Sequence, residues 1–406
     1  MTERPDNLHF DPAERYPRDL PTTGAWMPGD PVGERKFATV NNRPFALESG
    51  GVLDEVVIAY ETWGELNADA SNAVLVCHAL TGDSHAAGVI EQGHPGDGWW
   101  NALIGPGKAL DSDRFFIVCP NVLGGCQGST GPSSIDPSTG TNFGPTFPQI
   151  TMRDIVRSQK LLTDTLGIEH WLSVVGGSMG GMQVLEWGAM YPKRARSLMP
   201  IASIAAASAM QIAWSAVERL AIVNDPAWRD GWYYDAPEAE GPWRGLALAR
   251  EISQITYRTT HVFDERFGRD VHDPGRELDQ WGRFEIESYL DHHGQKLVRR
   301  FDANSFLLLS KAMDLHDVGR NRGGIAKVLG EIRVPVLTAS VSSDILYPAY
   351  QQAEIHDLIV KGGGECTYEV VNSPQGHDGF LLESEFLSPL IAATLARARR
   401  TNGRHR

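Results

Sequence analysis

Apolar residues in this chain follow two patterns that take turns along its length. Short runs at 56–60, 73–78, 115–120, 172–175, 198–201, 334–340 and 368–371 are rich in aliphatic and β-branched residues, and each ends in a Gly, Asn or Ser cluster. Such runs predict strands closed by turns. Several are continuous rather than alternating, which suits strands buried on both faces of a parallel sheet. Between them lie helical patterns. Residues 152–162 carry apolar positions at three-to-four spacing, and Leu166-Gly167 supplies a stop. Strands alternating with helices predict an α/β fold with crossover connections and a mostly parallel sheet.

Two stretches depart from this rhythm. Between 204 and 326, helical segments such as 205–220 and 245–255 follow one another with no convincing buried strand, and this region reads as a helical lid inserted into the sheet domain. The alternation resumes at 334 and ends in a helix over 386–399. Residues 1–35 are rich in Pro, Asp, Arg and Gly with little periodicity, so they predict a poorly ordered, surface-draped extension without chemistry. The expected division is therefore an extension at 1–35, a catalytic α/β domain from 36–203 and 327–406, and a lid at 204–326.

Composition narrows the function classes. The chain has 406 residues, 42% of them apolar, and no apolar run approaches the ~20 residues of a membrane-spanning helix. Its formal charge of -14 repels phosphodiester backbones and anionic membrane surfaces, and the only crowding of arginines begins at Arg397. Neither nucleic acid nor membrane is an expected partner. The four cysteines, Cys77, Cys119, Cys126 and Cys366, show no C-x-x-C spacing, so neither a metal motif nor a redox motif is expected. No signal-peptide pattern opens the sequence, and a reduced, cytoplasmic setting is expected.

The segment Gly176-Gly177-Ser178-Met179-Gly180 carries the chemistry. G-x-S-x-G alone is weak in a chain with 42 glycines. Here, however, it follows a predicted strand and precedes a predicted helix, the setting in which a sharp turn exposes a nucleophilic serine. A serine hydroxyl needs a base within hydrogen-bond reach, itself oriented by a third group. On this kind of fold the chain order is Ser, then Asp or Glu, then His, each after a strand. Asp344 follows the 334–340 strand and His377 follows the 368–371 strand, so Ser178, Asp344 and His377 are the expected triad. Among competitors, His261, His272 and His292-His293 read as solvated residues of the lid, His78 as a structural residue shaping its loop, and Asp314, Asp317 and Asp357 as solvated charges. Two backbone donors are needed for a tetrahedral oxyanion. Met179 follows the serine, and Leu80 sits in the turn that opens after the 73–78 strand.

With these residues assembled, the chain resembles the homoserine O-acetyltransferases of the α/β-hydrolase type. The resemblance covers roughly residues 35–395. It rests on Tyr60-Glu61-Thr62-Trp63-Gly64, the run from Asn72 to Gly82, the run from Asn121 to Pro132, Gly176 to Gln183, Ser343-Asp344 and Gly376-His377-Asp378. Gly379 and Tyr347 depart from the family pattern, where Ala and Phe are expected, and read as peripheral. The resemblance implies an α/β-hydrolase fold and ping-pong transfer of acetyl from acetyl-CoA, as co-substrate, to the γ-hydroxyl of L-homoserine in methionine biosynthesis. It also implies Arg250 for the substrate carboxylate with Tyr257 beside it, Asp378 and Thr62 for the ammonium and the pocket wall, a homodimer through the lid, and no metal or tightly bound cofactor. Succinyl-CoA as donor, serine as acceptor and a simple serine esterase remain alternatives at this level.

Overall fold

A computed structural model describes residues 15–402 except 18 and 95. An eight-stranded sheet runs through the molecule in the order β1 (Lys36–Thr39), β4 (Val57–Trp63), β6 (Phe116–Pro120), β5 (Ala73–Cys77), β7 (Ser173–Gly177), β8 (Leu198–Ile201), β9 (Val336–Val341), β10 (Cys366–Val371). From β6 to β10 every pairing is parallel, and at the other side β4 pairs antiparallel with both β6 and the edge strand β1, so β4 alone runs against the rest of the sheet. A separate hairpin of β2 (Phe45–Ala46) and β3 (Val52–Leu53) sits apart. Neither β1 nor this hairpin is foreshadowed by an apolar run, because β1 is mostly exposed and the hairpin strands are two residues long.

The central strands show why their sequences are continuously apolar. Every residue of β5, β7, β8 and β9 is buried. Along β5, Val74 and Val76 face one layer with Trp100, Leu387 and Ile391, whereas Ala73, Leu75 and Cys77 face the other with Val156, Leu185, Trp187 and Ile355. Side chains alternate across a strand, so a sheet covered on both sides favours apolar residues on both faces, with Ser173, Thr338 and Ser340 as the small buried polar exceptions in β7 and β9. Each such aliphatic side chain contributes about 1.5–3 kcal/mol when fully buried. One cover is built from α1 (Met152–Thr165), α2 (Met179–Met190) and α9 (Ala349–Lys361), and the other from α11 (Ser384–Asn402). Helix α1 begins in a capping box between Thr151 and Asp154, which satisfies two of its orphan amides.

Between β8 and β9 the chain forms α3 (Ala209–Val223), α4 (Trp243–Tyr257), α5 (Thr260–Phe267), α6 (Glu285–Val298), α7 (Ala303–Asp314) and α8 (Ile325–Gly330). Among the described residues, pairing in this helical insertion is limited to isolated bridges. Asp314, read from sequence as a solvated charge, is instead almost fully buried and paired with Arg219 at 2.5 Å. A short α10 (Gly379–Leu382) precedes α11. No single described helix is long and apolar enough to cross a membrane.

The expectation for residues 1–35 needs correction over its described part, while 1–14 lie outside the described residues. The described part has no helix or strand before β1, yet it is held in place. Leu20 is fully buried in the core. Arg15 pairs with Asp291 at 2.6 Å, the Tyr16 hydroxyl donates to Glu251, and Thr23 Oγ1 donates to Asp302 Oδ1 at 2.9 Å. On the sheet side, Trp26 N donates to Cys126 O at 2.9 Å. Composition predicted low order because few apolar residues are present, but order here comes from polar groups that meet buried carboxylates of the insertion.

Candidate active site

At the C-terminal end of β7 the chain turns sharply into α2, and Ser178 occupies that turn with φ +58° and ψ -124°. A non-glycine residue rarely adopts this conformation and keeps it only where neighbours over-determine it. Ser178 N donates to Ile201 O at 3.0 Å, and Ser203 Oγ donates to Ser178 O at 2.7 Å. The two flanking glycines are required by close approach. A Cβ on Gly180 would lie 2.1 Å from Cys77 O, and one on Gly176 would lie 2.7 Å from the same oxygen. Strand β5 and helix α2 can therefore cross this tightly only without side chains at 176 and 180.

Ser178 Oγ lies 2.9 Å from His377 Nε2, and His377 Nδ1 lies 2.7 Å from Asp344 Oδ2. Asp344 sits just beyond β9 and His377 just beyond β10, so the parallel pairing of these two strands sets their loops side by side. The second carboxylate oxygen, Asp344 Oδ1, accepts from Leu346 N at 2.8 Å and Tyr347 N at 2.9 Å, which fixes the carboxylate plane. All three side chains are buried. Tyr347 is not peripheral, as the sequence suggested. Its buried ring stands edge-on to the His377 imidazole, with centroids 4.9 Å apart. Gly379 is also tightly placed, since a Cβ there would meet Val341 Cγ1 at 2.8 Å.

Met179 is the first residue of α2, so its N–H is one of the orphan donors at the positive end of a helix, beside the serine. Leu80 lies in the turn closed by Gly82 N to Ala79 O at 2.9 Å. That turn is braced from two sides. His78 Nδ1 donates to Ala79 O at 2.8 Å while its Nε2 accepts from Val122 N at 3.0 Å, which defines a neutral imidazole, and burial lowers its pKa accordingly. Arg300 Nη1 donates to Thr81 O at 2.6 Å.

A cavity of about 150 Å³ joins these groups. Its walls include the Leu80 turn, Ser178, Arg250, Tyr257, Arg300, His377 and Asp378. Arg250 and Tyr257 lie two turns apart on α4, and the guanidinium carbon sits 5.1 Å from the Tyr257 ring centroid. Arg250 Nη1 is buried and has no hydrogen-bond partner among the described residues. Asp378 pairs with Arg258 at 3.1 Å, and burial pushes its carboxyl above the usual range. Behind α4, Glu218 accepts from Ser253 Oγ at 2.8 Å, and burial raises its pKa to about 7.

Thr62 is not brought to this cavity. It lies on β4, next to the edge strand β1, where its Oγ1 accepts from Lys36 Nζ at 2.6 Å on an exposed surface. A sequence position within a matching motif says nothing about which way a strand residue points, and the alternation along β4 directs this one outward. Conversely, Arg300 carries no sequence signal: an arginine beside Arg299 between two helices reads as surface charge. Trp99, which also lines the cavity, is equally silent in the sequence.

A family model described as the alpha/beta hydrolase fold matches residues 72–384. A homoserine O-acetyltransferase of Thermobifida fusca (strain YX) is 54% identical over 377 residues, covering 93% of this chain and 98% of the relative. One from Moorella thermoacetica is 50% identical, covering 87% and 94%. Among solved structures, a homoserine O-acetyltransferase from Bacillus anthracis superposes with a TM-score of 0.82 at 27% identity, covering 89% of this chain and 97% of that one. The esterase E22 superposes nearly as well, with a TM-score of 0.81 at 27% identity, covering 89% and 99%. The backbone alone therefore does not separate transferase from esterase, whereas the sequence relatives at half identity do. This chain belongs to the homoserine O-acetyltransferase family, on the α/β-hydrolase fold.

Proposed function

We propose that the chain transfers acetyl from acetyl-CoA to the γ-hydroxyl of L-homoserine through an acetyl-serine intermediate. The observation that carries this reading is the unpartnered, buried Arg250 Nη1 facing the cavity that also holds Ser178 and Asp378. A cation and a carboxylate flanking the nucleophile suit a zwitterionic amino acid, whereas an esterase for neutral esters has no use for either.

In this reading His377 Nε2 takes the Ser178 proton as Oγ attacks the thioester carbonyl, and Asp344 stabilises the imidazolium. The amides of Leu80 and Met179 hold the oxyanion, each worth ~10²–10³ in rate. The thiolate leaves with the proton from His377. Homoserine then docks its carboxylate on Arg250, packed against Tyr257, and its ammonium by Asp378. His377 takes the γ-hydroxyl proton, the oxygen attacks the acetyl carbonyl, and the product departs with Ser178 reprotonated. Burial of the triad limits hydrolysis of the intermediate. The cavity of about 150 Å³ is smaller than a typical ~300–1,000 Å³ drug-sized site, which supports a short acyl group inside and the nucleotide end of CoA outside.

Acetyl-CoA and the purified enzyme are expected to release stoichiometric thiol once, then continuous thiol only when L-homoserine is added. Equal steady release without homoserine makes the protein an esterase, and faster turnover with succinyl-CoA or with L-serine replaces the proposed donor or acceptor.

We also propose a homodimer through the helical insertion. In support, α3 and α4 expose Val217, Leu220 and Leu248 around an apolar groove of about 490 Å³. Solution scattering is expected to give twice the chain mass, and a monomeric mass removes the dimer. A reduced cytoplasmic location accords with four free cysteines.

A further inference from the structure

We propose that Arg300 is a second arginine for the carboxylate of the acyl acceptor, so that Arg250 and Arg300 clamp that group together. The inference rests on the acyl-transfer reading and adds a specificity-determining residue to it. Arg250 comes from α4 and Arg300 from the link between α6 and α7. Both side chains line the cavity of about 150 Å³ that holds Ser178.

The charge balance of that cavity leaves an anion wanting. Its wall contributes one carboxylate, Asp378, which is already paired with Arg258 at 3.1 Å. Against it stand two guanidiniums with no ion-pair partner among the described residues. Arg250 Nη1 is buried without a hydrogen bond, and Arg300 Nη1 donates to a carbonyl, Thr81 O at 2.6 Å, which brings no full negative charge. Other arginines of the insertion and its links are neutralised: Arg219 by Asp314 at 2.5 Å, Arg283 by Asp273 at 3.1 Å and Arg299 by Asp19 at 2.9 Å. Burial lowers the pKa of Arg300 and the like charge of Arg250 adds to it, while Asp83, which is not part of the cavity wall, opposes both. Arginine keeps its proton in proteins, so two such groups in one small cavity repel each other until an anion joins them.

A single carboxylate fits this role. Its two oxygens offer about four acceptor sites, enough for donors from both guanidiniums. The acetyl group carries no charge and the nucleotide end of CoA stays outside, so the acceptor's carboxylate is the one anion that enters the cavity in this reaction. Arg250 interacts electrostatically with Asp378 as well as with Arg300, which suits a ligand whose ammonium and carboxylate share one carbon. Arg300 also links recognition to chemistry, because the side chain that meets the carboxylate is the one that holds Thr81 O, next to Leu80 in the oxyanion turn.

The test compares L-homoserine with L-homoserinamide, which keeps the ammonium and the γ-hydroxyl but replaces the anion by a neutral amide, at about pH 7 where both acceptors are ammonium ions. Arg300→Met is expected to raise KM for L-homoserine at least about tenfold and to lower the wild-type preference for it over the amide, as a ratio of kcat/KM, by a similar factor. Any effect of the lost bond to Thr81 on the oxyanion turn acts on both acceptors alike and cancels in that ratio. Arg299→Met, which removes an exposed pair with Asp19, is expected to leave the preference unchanged. An unchanged preference in a folded Arg300→Met protein, or a rise confined to KM for acetyl-CoA, overturns the clamp alone. Absence of homoserine-dependent turnover in the wild type overturns the acyl-transfer reading and the clamp together. Should Arg300→Met fail to fold, a crystal structure of the Ser178→Ala protein with L-homoserine decides: carboxylate oxygens within about 3.2 Å of both guanidiniums support the clamp, and a carboxylate held by Arg250 without Arg300 overturns it.

Discussion

Ser178→Ala is expected to lower kcat for acetyl transfer by about 10⁴- to 10⁶-fold while the protein stays folded. Oγ is the only atom lost, and its described partner in the site is His377 Nε2 at 2.9 Å. Without it no acetyl-enzyme forms, and what remains is the slow direct reaction of two substrates held in one cavity. The turn itself survives, because Ser203 and Ile201 grip the backbone of residue 178 rather than its side chain. Stopped-flow detection of released thiol distinguishes the outcomes. The variant is expected to show no burst, and its intact mass after incubation with acetyl-CoA is expected to be unmodified. A kcat within tenfold of wild type would mean that Ser178 is not the nucleophile.

Asp344→Asn is expected to cost about 10⁴ in kcat, by a different route. The Asp344 carboxylate has its two oxygens assigned: Oδ1 to the amides of Leu346 and Tyr347, Oδ2 to His377 Nδ1. In the Asn variant the remaining carbonyl oxygen stays with the two amide donors, so the side-chain NH₂ faces Nδ1. The imidazole must then accept at Nδ1, carry its proton on Nε2 and point that proton at Ser178, where it cannot act as a base. A burst is expected to persist with an amplitude of one thiol per chain, but at a rate lowered by the same factor. This separates the variant from Ser178→Ala, which has no burst at all. A loss below tenfold would show that Asp344 does not set the imidazole tautomer.

Much of this site could be read from local sequence, and the reasons are local. Mostly apolar runs located the central strands because a sheet buried on both faces favours apolar residues at nearly every position, with Ser173, Thr338 and Ser340 as buried exceptions. The elbow around Ser178 was legible because the crossing of β5 and α2 forbids a Cβ at 176 and 180, a constraint written directly as glycine. Asp344 and His377 could be paired because each closes one of two consecutive parallel strands. Thr62 shows the limit of the same reasoning: its motif was recognisable, but the direction of its side chain on β4 depends on register with β1 and β6, which no local pattern encodes.

What escaped sequence reading shares one property, namely that polar partners meet only after folding. Arg300 reaches Thr81 across 219 positions, Arg15 reaches Asp291 across 276, and His94 meets Glu61 through a loop of irregular backbone. Backbone sterics and two-sided burial act over a few residues, so the sequence by itself determined the strand order along the chain, the serine turn and the identity of its two partners. The motif match already pointed to Arg250 and Asp378, but that Arg300 joins them at the cavity while Thr62 lies outside it was decided by tertiary structure. Those contacts arise between elements far apart in the chain, and their energy comes from geometry and desolvation that no short stretch of residues carries.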